Sequence, residues 1–128
     1  MPVSPHVLIV DDDRDTRDMY VTGLSFLGCS VVAVGDAARA HESARRRVPD
    51  VIVTDVVMPE DDGWSLIRGI KADPSTRGIP VVVLTGHGAP ALPVRARAEG
   101  CAAFLMKPCL PEQLLAELHR VLQGPLFP

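Results

Sequence analysis

Five short apolar runs, each followed by a segment of helical period, constrain this chain more than any other feature. His6-Val-Leu-Ile-Val10, Ser30-Val-Val-Ala-Val34, Val51 to Val53, Ile79 to Leu84 and Ala102 to Met106 are mostly unbroken rather than alternating, which suits strands buried on both faces. From Arg14 to Leu27 the residues Met19, Tyr20, Gly23, Leu24 and Leu27 fall on one helical face, and Gly28 ends the helix. Asp36 can cap a second helix, whose small face is Ala37, Ala40, Ala44 and Val48 and which finishes in Arg45-Arg46-Arg47. Those arginines complement a helix C-terminus. Leu66, Ile67 and Ile70 mark a third helix, broken by Asp73-Pro74. A fourth is predicted over about Ala91 to Glu99, with its start shortened or distorted by Pro90 and Pro93. The fifth opens with Pro111, carries Leu114, Leu115, Leu118, Val121 and Leu122 as its apolar stripe, and stops at Gly124-Pro125.

Strand and helix alternating five times imply an α/β protein with a parallel sheet covered on both faces. With right-handed crossovers the simplest arrangement is a flavodoxin-like, doubly wound, five-stranded sheet in the order 2-1-3-4-5 with five helices. At 128 residues the chain is expected to be one domain, with a core from about residue 5 to 123. Net charge of -3 offers no electrostatic case for nucleic acid or an anionic membrane. No apolar stretch approaches a membrane span, and the start lacks the basic residues of a signal peptide, so a soluble, cytoplasmic protein is expected. Cys29, Cys101 and Cys109 are an odd number without metal-ligand spacing and read as reduced, buried or half-buried thiols. Of the histidines His6, His41, His87 and His119, none has metal spacing.

The switch point of such a sheet lies between its first and third strands, where ligands bind. Asp11, Asp12 and Asp55 fall at the C-terminal ends of those two strands, and Thr85 and Lys107 close the fourth and fifth on the same edge. Beyond Asp55 the chain must turn: Met58-Pro59 forces an extended residue, and Asp61-Asp62-Gly63 supplies turn chemistry and a helix start. Converging carboxylates repel unless a cation sits among them, and Mg²⁺ is the natural candidate. A carboxylate beside Mg²⁺, with a lysine and a hydroxyl nearby, can attack a phosphoryl group and become an acyl phosphate.

At Val10-Asp11-Asp12, Asp55 with Met58-Pro59 and Asp62-Gly63, Thr85-Gly86, and Lys107-Pro108, the chain closely resembles the receiver domain of two-component response regulators. The resemblance covers nearly the whole length. It implies that Asp55 accepts a phosphoryl group from a histidine kinase or histidine phosphotransfer protein. It implies that Asp12, Asp55 and the backbone carbonyl of Val57 bind Mg²⁺, with Asp11 assisting through water. Thr85 would bond the phosphoryl oxygen, Lys107 would neutralise it, and Phe104 matches the family's switch aromatic. The response would pass to a downstream protein or an output domain, with a weak homodimer as a further state. No output domain follows Leu122, so a stand-alone receiver and a piece of a longer regulator or hybrid kinase are both open. Gly86 stands where the family usually has alanine, Asp61 where it is usually apolar, and Cys109-Leu110 where an aromatic and a polar cap are common.

Simpler roles exist for the same residues. Asp13 and Asp15 read as helix-cap and first-turn acids, Phe104 also as core filling, and Trp64 and Met58 as local packing, with a contact as the alternative for an exposed Trp64. Two other functions share the chemistry or the fold. One is a Mg²⁺-dependent phosphatase of haloacid dehalogenase type, with Asp11 as the phosphorylated residue. The other is a receiver-like module that binds partners without phosphate.

Overall fold

The valine- and isoleucine-rich runs become strands because their β-branched side chains fit a pleated surface, and the Ala-Phe-Leu-Met run, which has none, joins them at the sheet edge. The computed structural model describes residues 4–58 and 63–123. It contains β1 (His6–Val10), β2 (Ser30–Val34), β3 (Val51–Thr54), β4 (Val81–Thr85) and β5 (Ala103–Met106). All pairs are parallel and the order is β2-β1-β3-β4-β5, as the alternation predicts. The turns expected at Met58-Pro59 and Asp61-Asp62, and the stop at Gly124-Pro125, involve residues that lie outside the described ones.

Between the strands run α1 (Arg14–Phe26), α2 (Ala37–Arg46), α3 (Gly63–Ala72), α4 (Ala91–Ala98) and α5 (Pro111–Gln123). Successive strand residues point to opposite faces, so each strand serves two cores. On one face Leu8, Val10, Ile52, Val81 and Val83 pack with Ala40, Ala44, Ile67, Ile70 and Ala96. On the other Val7, Ile9, Val53, Val82 and Leu84 pack with Tyr20, Leu24, Leu114 and Leu118. Among the described residues no helix is long and apolar enough to cross a membrane.

Local chemistry sets the helix ends. The Asp13 carboxylate caps α1 by accepting from the Thr16 amide at 3.1 Å and the Thr16 hydroxyl at 2.6 Å. Asp36 does the same for α2 through the Arg39 amide at 2.8 Å. After α1 the chain turns through Gly28 at φ +97°, a left-handed conformation that a Cβ would strain. Arg45 and Arg46 occupy the last turn of α2, as expected of a helix C-terminus.

Several expectations change in three dimensions. Strand β4 begins at Val81 rather than Ile79, because Pro80 has no amide to donate to the ladder. Helix α2 ends at Arg46, so Val48 lies beyond it and is 56% exposed while Ala40 and Ala44 carry the packing. In α1 only Tyr20 and Leu24 are buried, and Met19 and Leu27 remain substantially exposed. Helix α4 forms from Ala91, with Pro93 in the first turn, where a missing amide removes no intrahelical bond. Trp64 is buried, which agrees with its reading as a locally packed residue and leaves out the alternative of an exposed contact: the Arg95 guanidinium lies 4.6 Å from its ring centroid.

Just past α3, Asp73 collects four partners. It accepts from the Ser75 amide at 2.9 Å, the Ser75 hydroxyl at 2.8 Å and His41 Nε2 at 3.0 Å, with Arg45 Nε at 3.4 Å. The Ser75 amide first, then the Ser75 hydroxyl and His41, hold this carboxyl down at about 2. A folded value below the ordinary 3.8 means that the stability it confers is present above pH 3.8 and is lost as pH falls toward about 2. Asp73→Asn should therefore flatten the acid limb of a stability-versus-pH curve in that window, read by urea unfolding at a series of pH values. An unchanged acid limb would refute this account.

Candidate functional site

The register of β1 and β3 brings two carboxylates side by side. Val10 pairs with Thr54, and the Asp55 amide donates to the Val10 carbonyl at 3.0 Å, so the residues just beyond both strands share one rim. Asp11 and Asp55 are buried there, at 4% and 6% exposure. Lys107 reaches them from the end of β5: its Nζ bonds Asp11 Oδ2 at 2.5 Å and Asp55 Oδ2 at 3.1 Å. The Lys107 amide in turn donates to the Thr85 carbonyl at 2.8 Å, which ties the ends of β4 and β5 together. The Lys107-Pro108 peptide is cis.

The remaining carboxylate oxygens are also held. Asp11 Oδ1 accepts from the Asp13 amide at 2.9 Å, and Asp55 Oδ1 from the Val57 amide at 2.9 Å. One ammonium between two carboxylates leaves the rim net negative. Burial by itself would lower the Lys107 pKa, but the hydrogen bond and charge of Asp11, then those of Asp55, outweigh it and raise the value. Lys107 is therefore a fixed positive charge at any physiological pH.

Of the residues singled out from sequence, Asp11, Asp55 and Lys107 meet directly. Asp12 is exposed beside them, and among the described residues its side chain makes no hydrogen bond. Val57 is 41% exposed. Thr85 is fully buried, its hydroxyl accepting from the His87 amide at 3.3 Å rather than bonding Asp55 or Lys107. Phe104 is half-buried against the core beneath α2, α3 and α4, one strand away from Thr85. Asp13 serves as the α1 cap and Asp15 is an exposed first-turn acid.

Among the described residues no three Asp, Glu, His or Cys side chains gather closely enough to hold a metal ion by themselves. The donors present nevertheless suit Mg²⁺, which takes one or two carboxylates and keeps several waters. Asp11 and Asp55 are oxygen donors bound to a single cation already, and Asp12 is free at the same edge. Softer metals would call for nitrogen or sulfur ligands. Burial pushes the cysteine thiols up, Cys101 to about 11, so they carry little thiolate.

Sequence reasoning missed two supports. Tyr20, assigned only to an apolar face, donates its hydroxyl to the Cys109 carbonyl at 2.6 Å and so anchors the loop that follows Lys107. Burial pushes this phenol up to about 12. Arg17 donates from Nη1 to the Asp11 carbonyl at 2.8 Å. The one available signal was its place on α1, under two turns from the acidic run.

Comparison with known proteins agrees with this geometry. Residues 7–119 match the model of the response regulator receiver domain. Response regulator MprA of Mycobacterium leprae is 35% identical over 117 residues, which cover 91% of this chain and 50% of that protein. The phosphate regulon transcriptional regulatory protein PhoB of Pseudomonas aeruginosa is 31% identical over 121 residues, covering 94% of this chain and 53% of that one. The chain thus spans about half the length of these curated relatives. The chemotaxis response regulator CheY4 of Vibrio cholerae superposes with a TM-score of 0.84 at 31% identity, over 93% of this chain and 99% of that one. With the sheet order, the buried carboxylates at the switch point and the match along most of its length in agreement, the chain belongs to the response regulator receiver domain family.

Proposed function

We propose that the chain is a phosphoacceptor switch in which Asp55 is the phosphorylated residue. The observation that carries this reading is the single Lys107 ammonium bonded to both Asp11 and Asp55 at the strand ends. A carboxylate oxygen of Asp55 attacks the phosphorus of a phosphohistidine on a histidine kinase or histidine phosphotransfer protein. The P–N bond breaks, the imidazole leaves with its electron pair and takes up a proton, and an acyl phosphate remains on Asp55. Lys107 then offsets charge on the phosphoryl oxygens, and Thr85 donates its hydroxyl to one of them. Asp12, Asp55 and the Val57 carbonyl, with Asp11 through water, would hold Mg²⁺, which supplies further charge neutralisation when bound.

Phosphorylation biases an equilibrium between two conformations rather than building a new fold. Thr85 and Phe104, on the adjacent strands β4 and β5 and two positions apart in register, are the residues through which the change passes to α4, β5 and α5. Exposed Val94, Met106 and Leu110 lie on or beside those elements and give the surface apolar character. The receiver of that signal is a downstream protein or an output domain, and the setting is the cytoplasm.

The test is intact-mass analysis after incubation with Mg²⁺ and a small acyl-phosphate donor, run beside Asp55→Asn. A single phosphoryl adduct that requires Mg²⁺ and is absent from the variant is the expected result. An adduct that survives in the variant would move the chemistry to Asp11, as in the phosphatase reading. No adduct in either protein would leave a binding module.

A further inference from the structure

We propose that Arg17 is a positioning residue for the Mg²⁺ site, and that the absence of a side chain at Gly35 is what lets it act there. This inference rests on the phosphoacceptor reading and extends it to a pair of residues outside the dipeptides that carry the family resemblance.

Asp12 stands apart from the other acidic residues of the site. Lys107 and a backbone amide fix the carboxylate of Asp11, and Lys107 and another amide fix that of Asp55. Among the described residues nothing holds the carboxylate of Asp12, so its placement depends on the direction in which its Cα–Cβ bond leaves the backbone. That direction is set by the peptide joining Asp11 to Asp12, whose oxygen is the Asp11 carbonyl. Arg17 Nη1 donates to this oxygen at 2.8 Å. On the preceding side the Asp11 amide donates to the Val34 carbonyl at 3.1 Å. The short segment from Val10 to Asp13 is thereby pinned by β2 on one side and by α1 on the other.

The guanidinium reaches this place through a gap at Gly35. A Cβ built there would lie 2.9 Å from Arg17 Nη1 and 3.4 Å from its Cζ, nearer than carbon and nitrogen normally approach. Gly35 shows no backbone conformation that excludes an L side chain, so the demand on this position is space for the guanidinium. Two residues from different elements, Arg17 on α1 and Gly35 just after β2, therefore serve one hydrogen bond.

Charge and geometry make opposite forecasts for Arg17, which is what makes the proposal testable. If Arg17 acted only as a positive charge near an acidic rim, its removal would strengthen cation binding. If it positions Asp12, removal weakens binding, as loss of a partner that orients a metal ligand commonly does by about 10-fold. Gly35→Ala separates the two further, because it keeps the charge and displaces only the end of a flexible side chain.

The experiment is a Mg²⁺ titration of the full chain without any phosphoryl donor, followed by backbone amide chemical shifts in wild type, Arg17→Met and Gly35→Ala. The same spectra report whether each variant is folded. The expected result is a half-saturating Mg²⁺ concentration raised about 10-fold in Arg17→Met and in the same direction in Gly35→Ala. Tighter or unchanged binding in Arg17→Met, or unchanged binding in folded Gly35→Ala, overturns the role of Arg17 and leaves the Mg²⁺ site standing. Absence of Mg²⁺-dependent shifts at Asp11, Asp12 and Asp55 in the wild type overturns the metal reading and this inference together.

Discussion

Lys107→Met is expected to destabilise the chain by about 2–3 kcal/mol at neutral pH and to abolish most phosphoryl incorporation. The loss follows from what the ammonium separates. Asp11 and Asp55 have side chains only 5% and 7% exposed, and Lys107 is the cation bonded to both. Methionine fills similar volume but leaves two buried carboxylates facing each other. Breaking a fully buried ion pair costs about 3–5 kcal/mol. The Lys107 side chain is 23% exposed at an open rim, so solvent screening reduces the figure.

Two further readouts separate this account from a packing defect. Adding Asp55→Asn to Lys107→Met should restore part of the lost stability, on the order of 1 kcal/mol, because one of the repelling charges is gone. The pH dependence is the second. Pairing with Asp11 and Asp55 raises the Lys107 pKa above its ordinary 10.5 despite burial. Its contribution is therefore fully present below pH 10.5 and declines as pH rises through the higher folded value. The gap between wild type and Lys107→Met should hold steady from neutral pH upward and narrow as pH rises through the folded value of Lys107. Additive effects in the double variant, or a gap independent of pH there, would contradict the ion-pair explanation.

Gly63→Ala is expected to lower stability by about 2 kcal/mol or more and to displace the loop that carries Asp55. A Cβ at Gly63 would meet Val56 Cα at 2.5 Å, the Asp55 carbonyl oxygen at 2.6 Å and the Val56 carbonyl carbon at 3.3 Å. All three are backbone atoms, so no side chain can swing aside. Alanine is favoured over glycine in a helix interior by about 1 kcal/mol, but Gly63 is the first residue of α3, where that gain is smaller. The clash of about 3 kcal/mol therefore wins. In urea the midpoint should fall by about 1 M, with phosphoryl incorporation reduced even where the protein remains folded. Gly78→Ala is the control, since a Cβ there meets nothing within 4 Å. Equal midpoints for the two variants would remove the steric argument.

The position of Gly63 also explains why glycine opens the helix that follows Asp55. Helix α3 starts against the peptide that leaves Asp55, and only a residue without a side chain permits that approach. Trp64, the next residue, packs under Arg95 of α4, and Arg95 and Arg68 both pair with Glu99 at 3.6 and 3.2 Å. The start of α3 is thus linked on one side to Asp55 and on the other to α4, and displacement of the Asp55 loop would be felt in both.

Much of this was legible in the sequence, because it depends on neighbours in the chain. Unbroken valine and isoleucine runs specify buried strands, Asp13 and Asp36 specify helix starts through bonds only three residues long, and strand ends locate Asp11, Asp55, Thr85 and Lys107. Repetition of that pattern determined the parallel, doubly wound sheet, since few connections of short crossover helices are sterically and topologically allowed. Tertiary structure alone decided how the acidic run divides its labour. Asp11 is buried and paired, Asp12 is exposed, and Asp13 caps α1, although the three are adjacent and chemically identical. That division comes from Lys107, 96 residues away in the chain, and from the carbonyl grip of Arg17. The burial of Trp64 and the confinement around Gly63 are of the same kind. Local periodicity encodes which residues can form an element, whereas the partner each side chain meets depends on sheet order and on distances set only when the layers close.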